Sequence, residues 1–323
     1  MNEQIKLSII IPHYNSLQYL QTLLASIPNI PEIQVIVVDD KSTENIEEFE
    51  KFRKLCAGTN IEFYDNDGVK SAGTCRNIGI RHALGEWLLF ADADDYFLDG
   101  FYDAVSKYMN LDYDMVLFSP TSVVIGTKNL SRRHLAIAKI VHDYYENPDR
   151  INELALRYLL RGPCSKLIRK AMILENGIWF EEIIAANDLM FSTKCGYAAK
   201  KIAADTHIIY CITANEGSLT TQWSEEILDM RLWANLRYYS FLKERLSEEE
   251  MKLLQMNRIG RDKILQTLQR GYPLKKIFKV LVEYHKCGVR IWGKDLIIRP
   301  WHCLHIVWDT LRIRKRNRNI QRC

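Results

Sequence analysis

Residues 87–97 read WLLFADADDYF, an apolar run that breaks off into three aspartates, Asp92, Asp94 and Asp95. Trp87–Ala91 has the length and composition of a buried strand. A strand ending in clustered carboxylates concentrates like charge at a sheet edge, and such a cluster needs a cation to neutralise it. Oxygen ligands of this kind suit Mg²⁺ or Mn²⁺, hard ions that commonly bridge to substrate phosphates. Taken alone, the cluster reads equally well as an acidic turn. The segments on either side decide between the two.

Upstream, Lys6–Ile11 reads as a short buried strand, and Asn15 or Ser16 is placed to cap the helix after it. That helix carries Leu17, Leu20, Leu24 and Ile27 at i, i+3, i+7 and i+10. Gln34–Val38 is a second β-branched strand and ends in Asp39–Asp40. A charge-rich helix over Thr43–Leu55 leads to a third strand at Ile61–Tyr64. A further helix spans Thr74–Leu84, with Gly85 as its stop. Strands alternating with helices predict an α/β fold with a parallel sheet and helices on both faces. Ligands of such sheets gather at the carboxyl ends of the strands. Three of the predicted strands end in candidate ligand residues: Pro12–Asn15, Asp39–Asp40 and Asp92–Asp95. No G-x-G-x-x-G follows the first strand and no G-x-x-x-x-G-K-[ST] occurs, so phosphate has to be held through metal and side chains.

Downstream, Tyr113–Ser119, Lys166–Ile168 and Lys201–Ile212 read as strands and residues 150–161 as a helix. After Ser224 the chain turns mostly helical, which sets a soft boundary near residue 222 and predicts domains of 1–222 and 223–323. With 47% hydrophobic and 26% charged residues, composition argues against both disorder and a multi-span membrane protein. The eight cysteines are scattered without a C-x-x-C pair, which predicts free thiols in a reducing compartment. The opening MNEQIKLSIIIP lacks a basic n-region and a long apolar run, and no stretch of about eighteen apolar residues appears anywhere. These features predict a cytoplasmic protein.

The segments SIIIPHYNS (8–16), VIVVDDKST (35–43), AGTCRNIGIRHALGEWLLFADADD (72–95), CSKLIRKAMI (164–173), FEEIIAANDLMF (180–191) and ANEGSLT (214–220) occur in this order. Together they resemble the inverting GT-A glycosyltransferases of family 2, over about the first 220 residues. The resemblance implies a Rossmann-like GT-A domain that binds a nucleotide sugar, with Pro12, Tyr14, Asp40, Arg76, Asp92 and Ala93 at the nucleotide. Tyr14 would stack on the base, and Asp40 would accept from the base N–H, which favours UDP over GDP. Asp92 would face the ribose, and Asp94 would hold Mn²⁺ or Mg²⁺ as the metal ligand of a D-x-D motif. Asp95 would orient its neighbours or close the turn, and Asp39 would be structural.

The resemblance also implies a catalytic base, Asp188. An acceptor hydroxyl has a pKa far above 7, so a positioned carboxylate has to take its proton as the new bond forms. Family members usually carry Glu-Asp here, whereas this chain has Asn187-Asp188. A purely structural alternative makes Asp188 the N-cap of a helix over Leu189–Tyr197. Lys166, Glu181 and Glu182 are candidates for supporting or acceptor-side roles.

The end of the chain is basic. Lys286–Cys323 holds ten Lys/Arg against two Asp, within a chain of net charge +4. Trp301, Leu304, Trp308 and Leu311 form an apolar stripe, followed by Arg312, Arg314, Lys315, Arg316 and Arg318. Three readings stay open: an amphipathic helix docked peripherally on an anionic membrane, a helix packed on the protein's own body, or a basic end that is a solvated tail or contacts nucleic acid. The implied activity is metal-dependent transfer of a sugar to a hydroxyl of a glycan or lipid-linked glycan in surface-polysaccharide assembly, with no nucleic-acid partner. The rival readings are a nucleotidyltransferase and a non-catalytic, membrane-associated binding protein on a transferase scaffold.

Overall fold

The computed structural model describes residues 4–127, 129–214, 223–289, 301, 305 and 308–315. The chain divides into two compact units, Met1–Ser218 and Leu219–Cys323. The boundary expected near residue 222 and the ANEGSLT residues beyond Ala214 lie outside the described residues.

The first unit is built on one mixed sheet of eight strands: β1 (Leu7–His13), β2 (Ile33–Asp39), β3 (Ile61–Asp65), β4 (Trp87–Phe90), β5 (Tyr96–Phe97), β6 (Met115–Val124), β7 (Lys166–Arg169) and β8 (Ile202–Ala214). Their spatial order is β3-β2-β1-β4-β7-β6-β8-β5. The four strands at the β3 side, β3-β2-β1-β4, run parallel, as the alternating pattern predicts. The other half departs from an all-parallel sheet. β7 lies antiparallel between β4 and β6, and β5 pairs antiparallel with β8. Strand-like runs can be read from a sequence, but the direction in which a run enters the sheet depends on its distant partners.

Helices α1 (Leu17–Ala25), α2 (Ile46–Leu55), α3 (Ala72–His82), α4 (Phe101–Met109), α5 (Leu135–Glu146), α6 (Arg150–Tyr158), α7 (Lys170–Glu175) and α8 (Asn187–Ala198) cover the sheet. Successive side chains of a strand point to opposite faces, and here both faces are buried. Ile9, Ile11, Val35, Val37 and Leu89 join one core with Leu20, Leu23 and Phe49 of α1 and α2. Ile10, Ile36, Val38, Leu88 and Phe90 join the other with Ile78 of α3 and Phe191 of α8. This explains the unbroken apolar run at Ile9–Ile11.

Two expected helix signals have other uses. The Ser71 side chain caps α3 by accepting from Thr74 N at 3.1 Å, and the helix ends at Ala83 in extended backbone. Gly85 is therefore not a helix stop. A Cβ there would lie 2.5 Å from the backbone nitrogen of Ser8, so glycine lets the chain pass β1 before it enters β4. Ser16 sits at the N-cap of α1 without a side-chain bond. Asn15 instead accepts from Thr43 N at 2.7 Å and Glu44 N at 3.2 Å, which ties the end of β1 to the loop after β2.

The second unit contains α9 (Glu225–Lys243), α10 (Glu248–Leu253), α11 (Met256–Gln269), α12 (Leu274–Lys286) and a helical segment at 308–315. Trp301, Trp308 and Leu311 are exposed, while Leu304, Arg316 and Arg318 lie outside the described residues. Arg314 departs from the basic face expected of this segment. It is buried and donates to the carbonyls of Leu268 (2.9 Å) and Tyr272 (2.6 Å), closing the C-terminal end of α11. Among the described residues no helix is long and apolar enough to cross a membrane, and Cys56, Cys75, Cys164, Cys195, Cys211 and Cys287 are free thiols.

Candidate active site

The carboxyl ends of β1, β2 and β4 are neighbours because β1 lies between the other two. Pro12 is the penultimate residue of β1. His13, next to it, is almost fully buried, with Nδ1 2.9 Å from Asp39 Oδ1, and its ring stacks on Phe49. Its Nε2 accepts from Ser16 N at 3.3 Å, so Nδ1 carries the proton and donates to Asp39. Asp39 also accepts from Ser42 N (2.9 Å) and Ser42 Oγ (2.6 Å). Burial alone would raise the Asp39 carboxyl, but the bonds from His13 and Ser42 outweigh it and hold the group below its ordinary value. Asp39 and His13 lock a loop.

Asp40 is buried, and its Oδ1 accepts from Asn66 Nδ2 at 2.6 Å and Ser71 N at 3.1 Å. The Tyr14 ring is 44% exposed and carries the Lys70 ammonium 3.6 Å from its centroid. Hydrogen bonds from Lys70 and Thr43 lower the phenol's pKa. A base stacking on Tyr14 therefore uses the opposite ring face or displaces Lys70. Asn66 and Lys70 were missed in the sequence. The signal was present for Asn66, which follows the third strand much as Asp40 follows the second.

At the end of β4 the picture is different. Asp92 N donates to the buried Tyr210 hydroxyl at 2.9 Å. Asp95 accepts from Thr213 N at 2.7 Å, and the Thr213 hydroxyl donates to the Asp94 carbonyl at 2.6 Å. Asp95 thus fastens the acidic turn to β8, and Ala93 is buried in its middle. Burial, then the charge of Asp92, raises Asp94 to about 6. Asp95 is raised well above its ordinary value by burial and by both neighbours. Tyr210 and Thr213 lie inside a long strand, and no local pattern marks them.

Arg76 is buried on α3, where a solvated helix face was the ordinary expectation for a lone arginine. One guanidinium nitrogen donates to Asp92 Oδ1 at 2.6 Å and another to Asn187 Oδ1 at 2.9 Å. A single rigid fork therefore joins the acidic turn to the start of α8, 111 residues from Arg76 along the chain. Gly73 permits this approach, since a Cβ on it would lie 2.3 Å from the Glu181 carbonyl. Arg76 also has a buried Nε with no partner among the described residues.

Asp188 occupies the first turn of α8, not its cap. Ala186 holds the N-cap in left-handed backbone, and no side chain caps the helix. The structural alternative, Asp188 as the N-cap, is not what the fold shows. Its carboxyl is raised mainly by burial, an effect opposed by Arg76 and Lys166 and increased by Asp92. Lys166 is buried on β7, and Glu182 accepts from Asn77 Nδ2 at 3.2 Å.

Among the described residues no group of three or more His, Cys, Asp or Glu forms a metal cage. The oxygen-only, under-neutralised Asp92–Asp94–Asp95 turn fits a hard divalent ion whose remaining ligands come from substrate and water.

A sequence model described as Glycosyl transferase family 2 matches residues 8–175. The chain is 29% identical over 219 residues to a poly(ribitol-phosphate) beta-N-acetylglucosaminyltransferase, TarS, of Staphylococcus aureus strain Mu50, across 66% of this chain and 36% of that protein. The TarS of strain MW2 is 28% identical over the same length. The chain thus spans about a third of the curated relatives it matches. Among solved structures, S. aureus TarS 1–349 in complex with UDP-GlcNAc is similar with a TM-score of 0.64 at 20% identity, over 98% of this chain and 92% of that one. The mannosyltransferase PcManGT from Pyrobaculum calidifontis, in complex with GDP-Man and Mn²⁺, is similar with a TM-score of 0.55 at 14% identity, over 98% and 87%. At these identities the structural likeness establishes the GT-A fold.

Proposed function

The chain belongs to glycosyl transferase family 2, and from that premise we propose that it is an inverting, metal-dependent transferase. It moves a sugar from UDP to a hydroxyl of a glycan acceptor in bacterial surface-polysaccharide synthesis. The observation that carries this reading is the Arg76 fork, which ties Asp92, two residues before Asp94, to Asn187, the residue before Asp188. A TarS structure named with UDP-GlcNAc, and the buried Asp40 at the end of β2, support the uridine donor.

In this reading Tyr14 and Asp40 receive the base, beside Pro12, and Asp92 and Ala93 receive the ribose. Asp94 is the protein's metal ligand, and a divalent ion bound there supplies Lewis-acid charge to the departing diphosphate. Arg76 acts through Asp92 and Asn187, keeping the acidic turn and α8 in register. Asp188 takes the acceptor's proton as the alcohol attacks from the side opposite the diphosphate. Burial raises its carboxyl above the ordinary value, which makes the carboxylate a stronger base than one in water. Asn187 leaves Arg76 one carboxylate fewer than the Glu-Asp pair of typical members, so Asp92 alone neutralises it by direct contact.

The exposed Trp301 and Trp308 support peripheral docking of the C-terminal unit on the inner face of the cytoplasmic membrane, where a lipid-linked acceptor would be met. Hydrolysis of UDP-GlcNAc tests the chemical core. Turnover should require Mn²⁺ or Mg²⁺ and be lost in Asp188→Asn while UDP binding persists. Metal-independent turnover, or full activity in Asp188→Asn, overturns the proposal.

A further inference from the structure

Lys166 is a buried lysine that the mechanism above leaves almost unused. It is 4% exposed at the start of β7. The β4–β7 register pairs Leu88 with Ile168, and continued by two residues it sets Lys166 beside Phe90, two residues before Asp92. The antiparallel insertion of β7 therefore delivers its first side chain to the same sheet edge as the acidic turn. The ammonium has three donors but one described hydrogen bond, to the Leu160 carbonyl at 2.5 Å. A buried ammonium with so little compensation is costly unless a carboxylate shares its environment.

The carboxylate that fits is on α8, whose Phe191 ring packs 5.4 Å from that of Phe90. Asp188, Ser192 and Cys195 fall at i, i+4 and i+7, one stripe of the helix. The Ser192 hydroxyl is buried without a partner, as is that of Ser165, the residue before Lys166, which is held in left-handed backbone at φ 60°. A left-handed residue with an unpaired hydroxyl directly before a buried cation is a feature that packing alone does not favour. The titratable groups facing Lys166 are Cys195 and Asp188 of α8 and Cys164 of its own segment, and burial raises both thiols, which leaves Asp188 as the carboxyl among them. Those acting on Asp188 are Arg76 from α3, Asp92 from the acidic turn, and Lys166. Burial lowers the Lys166 ammonium to about 8, which still leaves it mostly charged at neutral pH.

We propose that Lys166 is a positioning residue of the transfer reaction, the buried cation that keeps Asp188 ionised and aimed at the acceptor hydroxyl; this rests on Asp188 being the base. Lys166 need not touch donor or acceptor. Its positive charge favours the carboxylate over the carboxylic acid, so its removal moves the protonation of Asp188 to higher pH.

The test is the pH profile of kcat for UDP-GlcNAc hydrolysis with Mn²⁺, in the full chain, for Lys166→Met, Lys166→Arg and Asp188→Asn. Lys166→Met should lower kcat at pH 7 by about tenfold, leave the donor KM within about twofold, and shift the acid limb upward by about one pH unit. Lys166→Arg, which keeps the charge, should retain the wild-type limb. An unmoved limb in a folded Lys166→Met, with Asp188→Asn inactive, overturns the Lys166 assignment and leaves the base reading standing. An active Asp188→Asn removes the base reading instead, and this proposal with it. If Lys166→Met does not fold, Lys166→Gln decides: a limb raised by about one pH unit supports the assignment, and a limb at the wild-type pH overturns it.

Discussion

Asp39 closes β2 and Asp94 follows β4, the two strands that flank β1, yet their surroundings are opposite. Asp39 accepts from His13 and from Ser42 twice, and its carboxyl lies below the ordinary range. Asp94 is desolvated beside Asp92 and is raised to about 6. One aspartate is saturated by the fold and serves the fold. The other is left short of positive charge, which is the state expected of a carboxylate that meets its counter-ion only when substrate arrives.

The strongest attack on this contrast is on activity. Asp94→Asn and Asp188→Asn should each reduce sugar transfer or UDP release by roughly 10²–10⁴-fold, the range for losing a positioned proton acceptor or a charge-stabilising group. Asp39→Asn should leave kcat nearly intact. A comparable loss in Asp39→Asn would end the division of labour drawn here.

Stability should order the variants differently. Arg76→Met removes both hydrogen bonds of a charged donor, while the half-exposed Asp92 can turn to water, and should cost about 2–4 kcal/mol in denaturant unfolding. Asp39→Asn should cost less, roughly 1–3 kcal/mol, because it weakens hydrogen bonds to a charged acceptor. Asp94→Asn should have the opposite sign in metal-free buffer at pH 7, raising Tm by a few degrees and abolishing the Tm gain on adding Mn²⁺ with UDP.

The pH dependence sharpens the same contrast. The folded-state value of Asp94, about 6, lies above its ordinary 3.8, so the native chain holds that proton more tightly than the unfolded chain. Its contribution to stability therefore declines as pH rises from about 4 to about 6, and the decline should vanish in Asp94→Asn. Asp39 is depressed in the folded state, so its contribution is present above 3.8 and is lost only as pH falls below it. Melting curves between pH 3 and 7 for the two Asn variants separate these effects. The smallest expected effect is at Tyr14, where Tyr14→Ala should weaken UDP binding by about tenfold with little change in kcat, the value of one base-stacking contact.

The strand ends were legible because apolar runs stopping at Asp and Asn are local features. Pro12, Asp40, Asp92 and Asp94 accordingly fall at the carboxyl edge of the sheet as their strands imply. The role proposed for Asp188 came only through resemblance, since an aspartate before an apolar helical run reads most simply as a cap. Arg76 and Lys166 gave no local sign of burial. Each is a long charged side chain in a mixed polar and apolar stretch, a pattern shared with countless solvated positions.

By itself, then, the chain's order of residues determined the alternating β/α beginning, the acidic turn and the family. These follow from hydrophobic periodicity and strand termini, which depend on near neighbours in sequence. Only the tertiary structure decided that β7 enters antiparallel, that Gly85 serves β1 instead of ending a helix, and that Arg76 joins two segments lying 16 and 111 residues further along the chain. The physical reason is that strand direction and the neutralisation of buried charge are properties of pairs. The partner's identity is set by packing across the fold, which no single stretch of sequence contains.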